Sequence, residues 1–352
     1  MIQTVVFDWG DTIMRVFPGS RGPMARWPRV EAVPGSAEVL AALHDRYRLV
    51  LATNASESGA ALVREALARV GLETYFHEVL TARELGARKP ERAFFEAILD
   101  VAGCASIEAV MVGDDYQADV VGAKEAGLRA IWFNPAACYP LGHPLYDAET
   151  HTLHEVPVAL QDMHLPDVGQ CLALLAEQRV PLGVVRHAQA VAIVAFRLAM
   201  RLREEGEPVN PLLAHRGGLL HDLDKATSRQ QGVTHGELAA RVLRAKGYPD
   251  LAAIAERHLL FTILNPATRP TTWEQKLVYY ADKIVEGDRL VGVPEKLDSL
   301  CKRYAEHADQ FWRCAPQILQ LQAEICARLG VSLTELLRTL RPNGDSQVNG
   351  HG

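Results

Sequence analysis

The first half of the chain alternates short apolar runs with amphipathic segments. Residues 2–7 form a near-continuous apolar run, which is typical of a strand buried on both faces of a sheet. Similar runs predict strands at 48–52, 109–112 and 130–133, and a last edge strand at 156–160. Helices are predicted at 36–46, 57–70 and 118–126, with a closing helix at 167–177. This alternation predicts an α/β domain with a parallel sheet of the Rossmann-like kind.

The second half follows the helical period instead, and strand patterns disappear from about residue 184. Glycine and proline punctuate predicted helices at 184–204, 211–225, 235–246, 250–260, 273–288, 295–308, 315–329 and 332–340. The change of pattern predicts two domains, an α/β domain over 1–178 and an all-α helical bundle over 179–340. The polar tail 341–352 is expected to be disordered.

Composition narrows the classes of protein. The 352 residues include 48% hydrophobic positions, enough for two buried cores, and the formal net charge is −6. Because no long basic run is present, broad nucleic-acid binding is disfavoured. The six cysteines are scattered and form no Cys-x-x-Cys pair, as in a reducing compartment. With no signal peptide and no apolar run of about 18 residues, we expect a cytoplasmic protein without a membrane partner.

Polar side chains follow the predicted strands of the first domain. Asp8 ends the first strand, Thr53-Asn54 the second and Asp114 a later one, with Asp119 beyond it and Lys89 ahead of a helix. Ligands gather at the carboxyl ends of parallel strands. Converging carboxylates suit Mg²⁺, and a lysine beside a hydroxyl suits a phosphoryl group.

These segments, Asp8 through Thr12, Thr53, Lys89 and Asp114 with Asp119, resemble the four ordered motifs of the haloacid dehalogenase (HAD) superfamily. The resemblance covers roughly residues 1–178. It implies that Asp8 is a carboxylate nucleophile and metal ligand, and that Thr53 and Lys89 hold and neutralise the phosphoryl group beside Asn54, a substrate-binding residue. Asp114 and the Gly10 carbonyl would complete the Mg²⁺ shell, with Asp119 or Asp115 in support.

The first domain departs from that family pattern at one position. Family phosphatases carry a second aspartate two residues after the nucleophile as general acid and base, where this chain has Gly10 followed by Asp11. Loss of such a group typically costs about 10²–10⁴ in rate. The interval between Asp8 and Thr53 is also too short for a helical cap. The site is therefore a slow phosphatase, a phosphotransferase of unusual specificity or a binding site without turnover.

The adjacent pair His221-Asp222 in an apolar helical run is the strongest chemical feature of the second half. Partners of the same kind occur on other predicted helices, namely His187, His235, His258 and Asp282. Imidazole and carboxylate ligands in this mixture suit divalent metals that activate water.

The second half resembles the HD superfamily of metal-dependent phosphohydrolases over about residues 180–292. His187, His221, Asp222 and Asp282 match the four defining ligands, and His235 with His258 match the histidines of members that hold two metals. The resemblance implies one or two divalent transition metals (Fe, Mn, Co or Zn) and a hydroxide that attacks phosphorus directly. Lys225 would contact the phosphate. Arg289, on a helical face with Asp282 and Glu286, would clamp it, with Glu286 as its ion-pair partner.

The sequence therefore favours a metal-dependent phosphohydrolase of the phosphatase and phosphodiesterase class (EC 3.1). Its partner would be a small phosphoester of the nucleotide type, hydrolysed at the helical site, with phosphomonoesterase activity at the first site. A homodimer is left open. Two alternatives stay open: an HD-type diiron oxygenase that activates O₂, and a catalytically weak nucleotide-binding regulator.

Overall fold

The computed structural model describes residues 2–140, 142–228 and 232–341 and divides the chain into two compact units, 1–164 and 165–352. The first unit is a parallel α/β sheet and the second is mostly helical, so the predicted fold class is confirmed. Residues 342–352, most of the predicted tail, lie outside the described residues.

The first unit is built on a parallel sheet. Its elements are β1 Thr4–Phe7, α1 Ser36–His44, β2 Arg48–Thr53, α2 Ala60–Ala68, β3 Glu78–Thr81, α3 Ala82–Leu85, α4 Arg92–Ala102, β4 Ala109–Gly113, α5 Gly122–Glu125, β5 Arg129–Phe133, β6 Ala148–Thr150 and α6 Val156–Asp162. Within the described part of this unit the six strands run in the order β3-β2-β1-β4-β5-β6.

Strand β1 lies at the centre of the sheet, as its unbroken apolar run predicts. Val5, Val6 and Phe7 are fully buried between β2 and β4. The chain moves to one side of β1 through β2 and β3 and then crosses to the other side at β4. Open α/β sheets bind ligands at such a crossing, beyond the strand ends. Asp8 and Asp114 follow the two strands that meet there.

The prediction of an edge strand at 156–160 is wrong, because these residues form helix α6. Pro157 fits the first helical turn, where no backbone N–H is needed. Val156 and Leu160 are buried four residues apart, whereas Val158 between them is 60% exposed, which is a helical and not an alternating pattern. The two edge strands of the sheet are β3 and β6, and the pattern predicts neither of them because both are short.

The second unit is mostly helical. Its elements are α7 Val168–Glu177, α8 Leu182–Glu204, α9 Pro211–Leu220, α10 Glu237–Ala245, α11 Pro249–Arg257, α12 Trp273–Ile284, the two-residue strands β7 Val285–Glu286 and β8 Arg289–Leu290, α13 Val293–Arg303, α14 Ala308–Trp312, α15 Ala315–Arg328 and α16 Leu333–Leu340. Helices α8, α9 and α12 pack on one another at the centre of this unit.

The unit boundary at 164/165 lies ahead of the predicted one at 178/179. Helix α7 accounts for the difference, because Cys171, Leu174 and Leu175 pack with Leu219 and Leu243 of the second unit. The exact limits of the two domains stay a prediction.

Helix α8 has the length and mean hydropathy to cross a membrane, which the apolar runs of the sequence did not suggest. Its residues Val191, Ala195, Leu198 and Leu202 are buried in the core of the second unit. A core helix of a folded domain passes the same test of length and composition, so the absence of a membrane partner stays a prediction.

Gly218 allows α8 and α9 to approach closely. A Cβ atom added at Gly218 would lie 2.5 Å from Ala192 Cα of α8. We expect Gly218→Ala to lower the free energy of unfolding by about 1–3 kcal/mol, as overpacking does, although alanine normally favours a helix. Urea unfolding followed by circular dichroism measures this. Gly183→Ala is the control, since no atom lies within 4 Å of its added Cβ. Equal effects of the two changes would contradict the close approach.

Candidate functional site

His221 and His258 occupy equivalent positions at the ends of two helices. Helix α9 ends at Leu220 and α11 ends at Arg257, so each histidine is the residue that follows the last helical position. His221 Nδ1 lies 2.7 Å from the Gly218 carbonyl oxygen, and His258 Nδ1 lies 2.6 Å from that of Ala255. Each ring thus satisfies a carbonyl three residues back, at a helix end where carbonyls lack backbone partners.

These contacts determine which ring nitrogen carries the proton. A carbonyl oxygen only accepts hydrogen bonds, so Nδ1 must be the donor, and Nε2 of a neutral ring keeps its lone pair. His187 on α8 follows the same rule, because its Nδ1 lies 2.8 Å from the Gly287 carbonyl oxygen. Outer contacts of this kind orient histidines that bind metals through Nε2.

The three Nε2 atoms converge on two carboxylates. His187 Nε2 lies 2.9 Å from Asp282 Oδ1, and His258 Nε2 lies 3.4 Å from Asp222 Oδ1. His221 Nε2 lies between them, 3.6 Å from Asp222 Oδ2 and 3.9 Å from Asp282 Oδ1. Two overlapping groups of side chains have ligand atoms within 4.8 Å of one another. The first group is His187, His221 and Asp282, and the second is His221, Asp222 and His258.

His221 Nε2 is a buried polar atom that forms no hydrogen bond with any described part of the chain. Burial lowers the pKa of His221 to about 3, although the neighbouring carboxylates oppose the shift, so the ring is neutral at pH 7. Its lone pair therefore faces carboxylate oxygens, which are acceptors as well. A cation among these atoms would satisfy all of them, so the donor set fits a divalent transition metal.

The two carboxylates of the cluster are ionised. Burial alone would raise the pKa of Asp222, but the hydrogen bond from His235 and the charge of Lys225 help to hold it well below its ordinary value. Lys283, which forms an ion pair with Asp282, likewise outweighs burial and keeps the pKa of Asp282 low. The Lys283 ammonium also donates to the His258 carbonyl oxygen at 2.9 Å.

His235 joins the cluster through a second aspartate that the sequence analysis did not single out. His235 Nε2 lies 2.8 Å from Asp222 Oδ1, and its Nδ1 lies 2.6 Å from Asp224 Oδ1. Burial opposes protonation, but hydrogen bonds to Asp222 and Asp224 raise the pKa of His235 to about 9. Asp224 is 1% exposed and also accepts from the backbone N–H groups of Gly236 and Ala239. It holds the chain reversal that brings His235 to the cluster.

A cavity of about 540 Å³ opens beside the cluster, and Lys225 and Arg303 line it. Lys225 is half-exposed and lies 3.0 Å from Asp222 Oδ2. The predicted Arg289 clamp is not supported, because α12 ends at Ile284 and Arg289 lies on the short strand β8, 74% exposed and outside the cavity lining. Glu286 pairs with Lys296 and Arg303 and not with Arg289.

The first unit forms a separate cluster at the predicted crossing of its sheet. Ligand oxygens of Asp8, Asp114 and Asp119 lie within 4.8 Å of one another. The buried Lys89 ammonium forms an ion pair with Asp8 and lies 2.6 Å from Asp119 Oδ1. Burial alone would lower the pKa of Lys89, but Asp8 and Asp119 outweigh it and raise the pKa. These oxygens are of the type that Mg²⁺ takes.

Hydrogen bonds hold the carboxylates of this cluster in place. The Thr12 hydroxyl donates to Asp114 Oδ1 at 2.9 Å and accepts from the Asp114 N–H at 3.1 Å. Burial, with the Asp8 charge, raises the pKa of Asp114 to about 6, and burial raises that of Asp119 to about 7 against the opposing effect of Lys89. A Cβ at Gly113 would lie 2.2 Å from Asp119, so glycine is required there.

Other predicted residues of the first site have structural contacts. The Asn54 side chain accepts from the Lys89 N–H at 2.7 Å and donates to the Lys89 carbonyl oxygen at 3.1 Å, so it positions Lys89. Asp115 accepts from the N–H groups of the π-helical turn that begins at Tyr116. The Thr53 hydroxyl accepts from the Ala55 N–H.

The Gly10–Asp11 segment is arranged around Val16. A Cβ at Gly10 would lie 3.1 Å from Val16 Cγ2, so there is little room for a side chain. Asp11 has a positive φ of 55°, and its carboxylate accepts from the Val16 N–H at 2.9 Å. Asp11 is thus committed to its own turn and is not part of the carboxylate cluster.

Comparisons with known proteins agree with the division of the chain into an α/β unit and a helical unit. A model of haloacid dehalogenase-like hydrolases matches residues 21–133, and a model of the HD domain matches residues 184–286. An uncharacterized protein of Methanocaldococcus jannaschii is 32% identical over 154 residues, which are 41% of this chain and 88% of that protein. The tRNA (cytidine(56)-2'-O)-methyltransferase of Picrophilus torridus is 26% identical over 188 residues, 50% of this chain and 51% of that enzyme.

A pyrimidine 5'-nucleotidase of Streptococcus pneumoniae is 35% identical over 107 residues, 30% of this chain and 44% of that enzyme. The chain thus spans about half or less of the length of the two relatives whose names state an activity. It consists of a haloacid dehalogenase-like hydrolase domain fused to an HD domain. Both kinds of domain are generally metal-dependent, and Mg²⁺ is typical of the first.

Asp224 provides a test of the turn that carries His235. We expect Asp224→Ala to lower the free energy of unfolding of the chelator-treated protein by about 2–4 kcal/mol, because buried donors lose a charged acceptor. The control is Asp250→Ala, at an exposed position in the first turn of α11, which should cost less than about 1 kcal/mol. Urea unfolding of both variants measures the difference, and comparable losses would contradict the role of Asp224.

Proposed function

We propose that this chain is a metal-dependent phosphohydrolase whose main site is the cluster of the HD domain and whose substrate is a small phosphoester of the nucleotide type. The observation that carries the proposal is the buried, unpartnered Nε2 of the neutral His221 among the carboxylates of Asp222 and Asp282. A core built for stability alone would not leave this buried acceptor without a donor.

The cluster supplies ligands for one or two ions. His187, His221, Asp222 and Asp282 would hold the first, and His235 and His258 would share Asp222 with a second. Divalent transition metals at such ligand sets make a nucleophile from water near neutral pH. Lys225 would hold a phosphate oxygen, since its ammonium lines the cavity beside Asp222 and is half-exposed.

The first unit would carry a second, slower phosphomonoesterase site. Asp8 would attack phosphorus through a carboxylate oxygen, with Mg²⁺ held by Asp8, Asp114 and the Gly10 carbonyl. Lys89 and Thr53 would neutralise and orient the phosphoryl group. Because Gly10 carries no side chain and Asp11 is committed to Val16, protonation of the leaving group is the expected weakness of this site.

A cytoplasmic location and a homodimer stay proposals. The free state of the six cysteines agrees with a reducing compartment.

The metal content of the purified chain is the first test. We expect one or two transition-metal ions per chain, and we expect His221→Asn to remove at least one, because it takes away a ligand shared by both groups of donors. Elemental analysis after dialysis measures the stoichiometry. His164→Asn, at an exposed position in the first unit, is the control.

An unchanged metal content in His221→Asn would contradict the proposed centre. Two iron ions per chain, with oxygen uptake under reducing conditions and no phosphoester hydrolysis, would indicate that the centre activates O₂ and is not a hydrolase. Tight nucleotide binding without turnover would instead indicate a regulatory protein.

The two sites should be separable by mutation and by metal. We expect Asp222→Asn to lower hydrolysis supported by Mn²⁺ or Co²⁺ on the order of 10³-fold or more and to leave Mg²⁺-supported phosphomonoester hydrolysis unchanged. Asp8→Asn should have the opposite effect. Steady-state assays of both variants with each metal measure this. If either variant abolished both activities while remaining folded, the assignment of two independent sites would be wrong.

A further inference from the structure

Two chemically different groups of side chains line the cavity of the HD domain. One group consists of the metal-ligand candidates and Lys225. The other is apolar and aromatic, and we call Phe261, Tyr304 and Phe311 the aromatic wall. The cavity volume of about 540 Å³ falls in the range of sites for small ligands.

Phe311 is the buried base of the aromatic wall. The rings of Phe261 and Phe311 are stacked, with centroids 5.9 Å apart and planes 22° apart. The Tyr304 ring meets Phe311 edge-on at 6.2 Å. Phe311 is 8% exposed, whereas Phe261 and Tyr304 are 44% and 45% exposed. Two large, partly exposed aromatic side chains thus line one cavity, where a ligand would bury their apolar surface.

The chain ties this wall to the metal-ligand candidates. Phe261 lies three residues after His258, on the turn that follows α11. Tyr304 follows the last residue of α13, and this helix is held by Glu286, which pairs with Lys296 at 3.0 Å and with Arg303 at 2.8 Å. The aromatic wall is therefore attached to the same elements that carry the metal-ligand candidates.

We infer that the aromatic wall binds the planar base of a nucleotide-type substrate and that Phe261 and Tyr304 are specificity-determining residues. The inference rests on the proposed function only in placing the phosphate at the ligand cluster. Flat π-systems stack on aromatic rings, whereas a sugar phosphate has no planar ring system and would leave the aromatic wall exposed to water. Lys225 and Arg303 line the same cavity and supply positive charge for the phosphate. A nucleoside phosphate thus matches both the charged and the aromatic lining.

The test compares ligands that differ only in the base. Calorimetry of the metal-loaded full chain with adenosine and with ribose measures binding that no hydrolysis disturbs. We expect adenosine to bind about tenfold or more tightly than ribose, as one stacked base predicts. Phe261→Leu and Tyr304→Leu keep apolar bulk at partly exposed positions and remove the ring, so each should weaken adenosine binding about tenfold. Trp312→Leu is the control, because Trp312 is 43% exposed but does not line the cavity.

Equal binding of adenosine and ribose, or an unchanged preference in both leucine variants, would overturn the inference. Turnover is measured separately, as KM and kcat for adenosine 5'-monophosphate and ribose 5-phosphate. A raised KM for the nucleotide alone in the leucine variants supports the inference. If the chain binds adenosine more tightly than ribose but hydrolyses neither phosphate, the aromatic wall is supported and the proposed function is contradicted. If it hydrolyses both phosphates but shows no preference for the base, the proposed function is supported and the inference about the aromatic wall is contradicted.

Discussion

The hydrogen bonds between histidine rings and backbone carbonyl oxygens are the constraint on which the HD site depends. Gly218, Ala255 and Gly287 each offer a carbonyl oxygen to the Nδ1 of a histidine. With Nδ1 held in this way, each Nε2 atom is directed at Asp222 or Asp282. Two of these histidines stand directly after a helix end, so the same contact that completes the helix orients the ring. The arrangement leaves His221 Nε2 without a donor, and a cation would satisfy it.

Both units gather buried carboxylates, and they neutralise the negative charge in different ways. In the first, carboxylates that follow neighbouring strands of a parallel sheet surround the buried ammonium of Lys89, and Asn54 holds the backbone of that lysine. The unbound cluster is thus partly neutralised by the chain itself. In the second, the half-exposed Lys225 pairs with Asp222 and the buried Lys283 pairs with Asp282, and imidazole nitrogen atoms lie between the two carboxylates. This difference agrees with Mg²⁺ at a hard oxygen site and a transition metal at a mixed site.

Periodicity and motif order predicted the two folds and the residues that meet at each cluster, because buried strands and helical faces leave a local trace in the sequence. What they missed depends on contacts between distant segments. Arg289 was placed on a helix with Asp282, but the chain turns into a short hairpin at Val285, and Arg303 of a later helix lines the cavity instead. Asp224 looked like one more residue of a helix, and its bond to His235 exists only because the chain reverses between them. Asn54 positions Lys89 through hydrogen bonds to the Lys89 backbone, and a pattern of side chains along the sequence does not reveal such bonds.

Anomalous X-ray scattering from crystals of the full chain, recorded at the absorption edge of the metal found by elemental analysis, tests the central claim most directly. The account predicts a strong peak within bonding distance of His221 Nε2, Asp222 and Asp282, with His187 Nε2 in the same shell. Crystals that contain the metal but show no peak at His221, or a hydrogen-bonded water on its Nε2 in place of an ion, would contradict it.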